Sequence, residues 1–148
     1  LLIWLIPASR GLIMKFTLCY KDYPCRMSLA AMKEFEEATG KCLWSTLILF
    51  IDSFQGSRAN GDSISKTLAK VGGVASFSDC ASLLYFMAKQ ENSHLKIEEI
   101  EDAMFHSGLF PSEDLKMQPY QFVVSSLSVQ VLEYLKEINE EKKKEAVS

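Results

Sequence analysis

The sequence predicts a mainly α-helical protein, a compact domain of about five or six helices with a small N-terminal β-hairpin. Three observations carry that expectation. Residues 15–20 alternate as Lys-Phe-Thr-Leu-Cys-Tyr, the period of a half-buried strand, and Tyr23, Cys25 and Met27 alternate with Pro24 and Arg26 just beyond. From Ser28 onward the apolar residues recur at three- and four-residue spacing, punctuated by Gly, Asn and Ser. The 148 residues are 48% hydrophobic and 24% charged, which suits one soluble domain and argues against disorder. A chain of this size buries roughly two thirds of its unfolded surface, so it needs neither metal nor disulfide to fold.

Lys21-Asp22 is the expected hairpin turn. Pro24 marks the second strand as an edge, because it has no N–H to give to a ladder. Ser28 caps a first helix whose face is Leu29, Met32 and Phe35, stopping near Gly40. A second follows through Leu43, Trp44, Leu47, Ile48, Ile51 and Phe54. Its Leu47–Ile51 run is apolar nearly all round, which predicts a central, buried helix. Residues 55–62 (QGSRANGD) read as a loop. A short helix carries Ile64, Leu68 and Val71, and another, capped by Ser76 or Ser78, carries Cys80, Leu83, Leu84 and Met87. Ile97, Ile100, Met104 and Phe105 mark a helix whose acidic first turn suits its dipole and whose stop is Gly108. Pro119 opens the last helix, with Tyr120, Val124, Leu127, Val131, Tyr134 or Leu135, and Ile138 on its stripe.

The chain ends flank this domain. LLIWLIPASRGLI, residues 1–13, lacks the basic start of a secretory signal and is too short in apolar length to span a bilayer. Met14 opens the patterned strand. We therefore expect a non-native or upstream-derived extension at 1–13, a single globular domain at 14–139 (hairpin 15–27, helices from 28 onward) and a charged, frayed tail at 140–148.

Chemistry is scarce. The four cysteines, Cys19, Cys25, Cys42 and Cys80, form no metal knuckle and read as reduced thiols of a cytosolic protein, although a Cys19–Cys25 bridge is conceivable. Phosphate-binding loops, nucleophile elbows and paired zinc histidines are absent, so no cofactor or metal is expected. His94 and His106 have no partner at ligand or catalytic spacing. Ser63-Ile64-Ser65-Lys66 fits the S-x-x-K pattern of acyl-serine hydrolases, yet its companion motifs are missing and a capped helix start explains it. A net charge of −3 disfavours nucleic-acid binding. The expectation is a non-enzymatic protein.

Residues 27–44, MSLAAMKEFEEATGKCLW, with the short hairpin before them, resemble the opening of tail assembly chaperones of lambda-type long-tailed bacteriophages. There a two-stranded start leads into a helix with a hydrophobic–Glu-Glu-x-Thr-Gly pattern, here Phe35-Glu36-Glu37-Ala38-Thr39-Gly40. A second block, from Leu83-Leu84-Tyr85 to IEEIEDAMFHSGLF, is similar to the family's later helix pair. Together the blocks span about half the chain.

The resemblance implies a protein that binds the helical tape-measure protein in the cytoplasm of the infected host and keeps it soluble. It would recruit major tail-tube subunits, self-associate, and be absent from the mature virion. It implies no enzyme activity and no nucleic-acid or membrane partner. Lys142-Lys143-Lys144 would fit an A-rich slippery run for a frameshifted longer product. Met104, Phe105, Leu109 and Phe110 are the candidate partner-binding residues, because GLF extends an apolar face past its helix end. The methionines, Met87, Met104 and Met117 among them, would suit an adaptable surface as well as a core. A generic helical adaptor or oligomerising scaffold is the alternative reading.

Overall fold

The computed structural model describes residues 12–73, 76–108 and 120–147. Within them the fold is mainly α-helical, with six helices and a two-stranded antiparallel hairpin at the N-terminal end. The hairpin is β1 (Leu12–Leu18) and β2 (Lys21–Met27), in register from Leu12 opposite Met27 to Leu18 opposite Lys21. Its inner face, Met14, Phe16, Leu18, Tyr23, Cys25 and Met27, is buried. Phe16 stacks on Tyr23 at 5.2 Å between ring centroids.

The turn falls at Cys19-Tyr20, two residues before the expected Lys21-Asp22. Both turn residues have positive φ, 50° and 66°. A two-residue hairpin needs that geometry to follow the strand twist, and Asn-Gly ordinarily supplies it. Tertiary contact holds it here: the Cys19 N–H donates to Ser107 Oγ at 2.8 Å. Asp22 is a strand residue tied across the ladder by Thr17, whose hydroxyl donates to Asp22 Oδ1 at 2.6 Å. Leu18 and Lys21 flank the turn as a hydrogen-bonded pair, so alternation makes Lys15–Pro24 a non-bonded pair. The missing Pro24 N–H thus falls on the open edge. Leu12 and Ile13, counted above with the N-terminal extension, hold ladder positions opposite Met27 and Arg26.

Helix α1 (Leu29–Thr39) starts on Ser28, whose Oγ accepts from the Ala31 N–H, and ends on Gly40 in the left-handed region at φ 69°. Helix α2 (Leu43–Ala59) differs from expectation twice. It extends through residues 55–59, read above as loop, because Ser57 near its end is buried and bonded to Asp62 and Thr67. Nor is it enclosed: Leu43, Leu47 and Phe50 face the core, while Ile48 and Leu49 are 46% and 48% exposed. An all-round apolar run does not require an all-round partner.

The central helix is α4 (Phe77–Lys89), with Cys80, Leu83, Leu84 and Met87 fully enclosed. It packs on β2, α1, α5 (Ile97–Gly108) and α6 (Tyr120–Val147). Ser76 and Asp79 close a reciprocal capping box at its start. Helix α3 (Ile64–Gly72) lies against the end of α2. Helix α6 runs antiparallel to α2, with Phe54 edge-on to Phe122 at one end and Trp44 beside Ile138 at the other. Its first half buries Val123, Val124, Leu127 and Val131. Helical geometry then continues through the charged stretch to Val147, where residues 139–147 are all exposed. Pro119 lies outside the described residues. No helix among the described residues is long and apolar enough to cross a membrane.

Candidate functional site

The serine and lysine singled out in the sequence have structural roles. Ser63 is the N-cap of α3, its Oγ accepting from the Lys66 N–H at 3.2 Å. Lys66 Nζ lies 3.5 Å from Asp62 Oδ1, and Lys70 Nζ lies 2.7 Å from Asp62 Oδ2. The serine and lysine of the S-x-x-K pattern thus serve a cap and an ion pair. The hydrogen bond from Lys70, then that from Ser57, holds the Asp62 carboxyl down at about 2.

The Glu-Glu-x-Thr-Gly pattern is a joint between helices. The Gly40 N–H donates to Glu36 O at 2.8 Å, and Thr39 Oγ1 donates to Phe35 O at 2.8 Å while accepting from the Lys41 N–H. Glu36 Oε1 reaches across to accept from the Leu43 N–H at the start of α2. Lys41 then binds Asp79 of the α4 capping box at 2.5 Å. This stretch sets how α1, α2 and α4 meet.

All four cysteines are free. Cys19 sits at the turn and Cys25 stands opposite Met14, roughly 13 Å further along the strand, beyond any disulfide's reach. Burial pushes the Cys25 and Cys80 thiols up to about 12, leaving them unreactive. Cys42 differs: it is exposed before α2, and the Ser45 backbone N–H lowers its pKa. Among the described residues no group of three or more His, Cys, Asp or Glu could hold a metal ion.

What stands open is apolar. A cleft of about 360 Å³ lies between the start of α1 and the second half of α6. Met27, Leu29 and Met32 form one wall, Tyr134, Leu135 and Ile138 the other, and Leu43 and Trp44 lie between. A second, more open lobe of about 510 Å³ continues past Trp44 along Leu132, Leu135 and Ile138. Leu29, at the rim, is 62% exposed. The charged side chains lining the two lobes are Lys136 and Lys142. Glu141 is close enough to Tyr134 to add to the effect of burial in raising the phenol's pKa.

Of the four sequence-derived binding residues, Met104 and Phe105 lie on α5 and do not line the cleft: Met104 is fully buried on its inner face, whereas Phe105 is 53% exposed and edge-on to His106. Leu109 and Phe110 lie outside the described residues. The cleft residues carried a legible signal, the Leu29–Met32 face and the Leu135–Ile138 stripe, but a helical stripe has the same form whether it meets core or solvent. Compared with known proteins, the chain matches no family model, no curated protein and no solved structure.

Proposed function

We propose that this protein is a bacteriophage tail assembly chaperone of the lambda-type long-tailed phages. On this reading it binds the tape-measure protein in the infected cell, keeps it soluble, recruits major tail-tube subunits around it, and leaves before the virion is complete. The observation that carries the reading is the solvent-open apolar cleft, set in a helical scaffold in which Ser63, Ser76 and Asp79 serve caps and Lys66 and Lys70 ion pairs. Apolar grooves between helices are the usual seat for an amphipathic helix. A tape-measure chain would present such helices until a tube encloses it. The resemblance of residues 27–44 suggests the family, and the hairpin-then-helix order agrees with it.

The test is co-expression with the tape-measure protein encoded in the same genome. The expected outcome is a tape-measure protein that moves from the pellet to the soluble fraction and co-purifies with this chain. A tape-measure protein equally insoluble with and without it would remove the reading. Gene order gives a second check, since a chaperone gene belongs between those of the tail tube and the tape measure.

A further inference from the structure

The cleft's length, lining and charge together narrow what can fill it. Its α6 wall runs from Leu132 to Lys142, about 15 Å of helix. That length accommodates side chains at i, i+4 and i+7 of one docked helix, which span about 10 Å. The walls are apolar, and the charges set among them, Lys136 and Lys142, are positive.

We propose that the cleft is a seat for one amphipathic α-helix of a partner protein whose apolar stripe is flanked by acidic residues. Its apolar anchors pack against Trp44, Leu135 and Ile138, and its flanking carboxylates meet Lys136 and Lys142. Charge separates this occupant from residues 1–11, and a second copy is an outcome that the test below tells apart. Residues 1–11, which precede Leu12 opposite the cleft residue Met27, contain no acid and one arginine, Arg10, so they offer the lysines nothing. The inference deepens the chaperone reading and rests on it only for the partner's identity.

The probe is a fluorescein-labelled helical peptide of about 18 residues, with leucines at i, i+4, i+7 spacing and glutamates on the flanks. A twin carries lysines in place of the glutamates. Anisotropy titrations of the full chain should show the acidic peptide binding about tenfold tighter than its twin, a gap that narrows as salt rises. The double variant Lys136→Glu/Lys142→Glu should invert the preference; both lysines are exposed, so the fold does not depend on them. Ile138→Asp should weaken both peptides by at least about tenfold, and Phe105→Asp should leave binding unchanged.

Equal affinity for the two peptides overturns the proposal, as does binding that survives Ile138→Asp or is lost with Phe105→Asp. So does a dimer in light scattering that Ile138→Asp dissolves, since the cover is then a second copy. Peptide binding that appears only once residues 1–11 are removed overturns it too. The two readings fail separately. If Ile138→Asp solubilises the tape-measure protein as well as the parent does, this inference falls and the chaperone reading stands. If the peptides behave as expected while the tape-measure protein stays insoluble, the chaperone reading falls and this one stands.

Discussion

Asp62 accepts hydrogen bonds from Ser57 and Lys70 and has Lys66 at 3.5 Å, so its carboxylate is favoured in the folded state. Its pKa falls from 3.8 to about 2. A depressed folded pKa means that the native state holds fewer protons than the unfolded chain between those values. The stabilisation is therefore complete above about pH 4 and is lost as pH falls towards 2. We expect the parent's urea midpoint to drop across that window and Asp62→Asn to flatten the drop. Equal slopes in the two proteins would show that Asp62 does not couple α3 to α2. Gly40 gives a test free of packing: its φ is +69° and nothing would lie within 4 Å of an added Cβ. Gly40→Ala should then cost about 1 kcal/mol, the left-handed penalty alone, and Gly40→Asn less. Urea denaturation of the two variants measures the difference.

Among the elements, the legible and the illegible divide along a physical line. Helices with a cap and a regular stripe could be read directly: Ser28 and Gly40 bound α1, and Ser76 opens α4. What escaped was fixed by side-chain contacts that local propensity does not encode, one distant in sequence and one near. The hairpin turn sits at Cys19-Tyr20 because Ser107, 88 residues away, holds the Cys19 N–H. The end of α2 stays helical past Gly56 because Thr67 and Asp62 occupy Ser57. Local propensity favoured turns at Lys21-Asp22 and at QGSRANGD; a bond from a distant helix moved the first, and side-chain bonds between neighbouring elements moved the second. The α4 start carries a prediction of its own scale. Ser76→Ala removes the acceptor for the Asp79 N–H, and the reciprocal bond loses its geometry. It should cost about 1 kcal/mol in urea denaturation. The same change should loosen Lys41 from Asp79, visible as faster amide exchange at the α1–α2 joint.

Across the whole molecule, the same apolar currency serves two ends, and only the arrangement distinguishes them. Leu84 and Ile138 both lie on helical stripes, yet Leu84 is enclosed at the centre of the fold and Ile138 lines an open cleft. Stability measurements can separate these roles. Leu84→Ala leaves a cavity that its neighbours cannot close and should cost about 2–5 kcal/mol. Ile138→Ala removes a side chain already in contact with water and should cost about 1 kcal/mol or less, since little extra surface changes its environment. The two values come from urea midpoints at constant slope. If Ile138→Ala destabilises as strongly as Leu84→Ala, the second half of α6 is core, and the cleft is too tightly coupled to folding to exchange water for a partner. If it does not, α6 carries a division of labour. Val123 to Val131 anchor the helix in the domain, and Tyr134 to Ile138 hold an apolar surface open to solvent. An apolar surface kept in water gains little for the free protein, and the proposed docking of a partner helix would take that surface out of water.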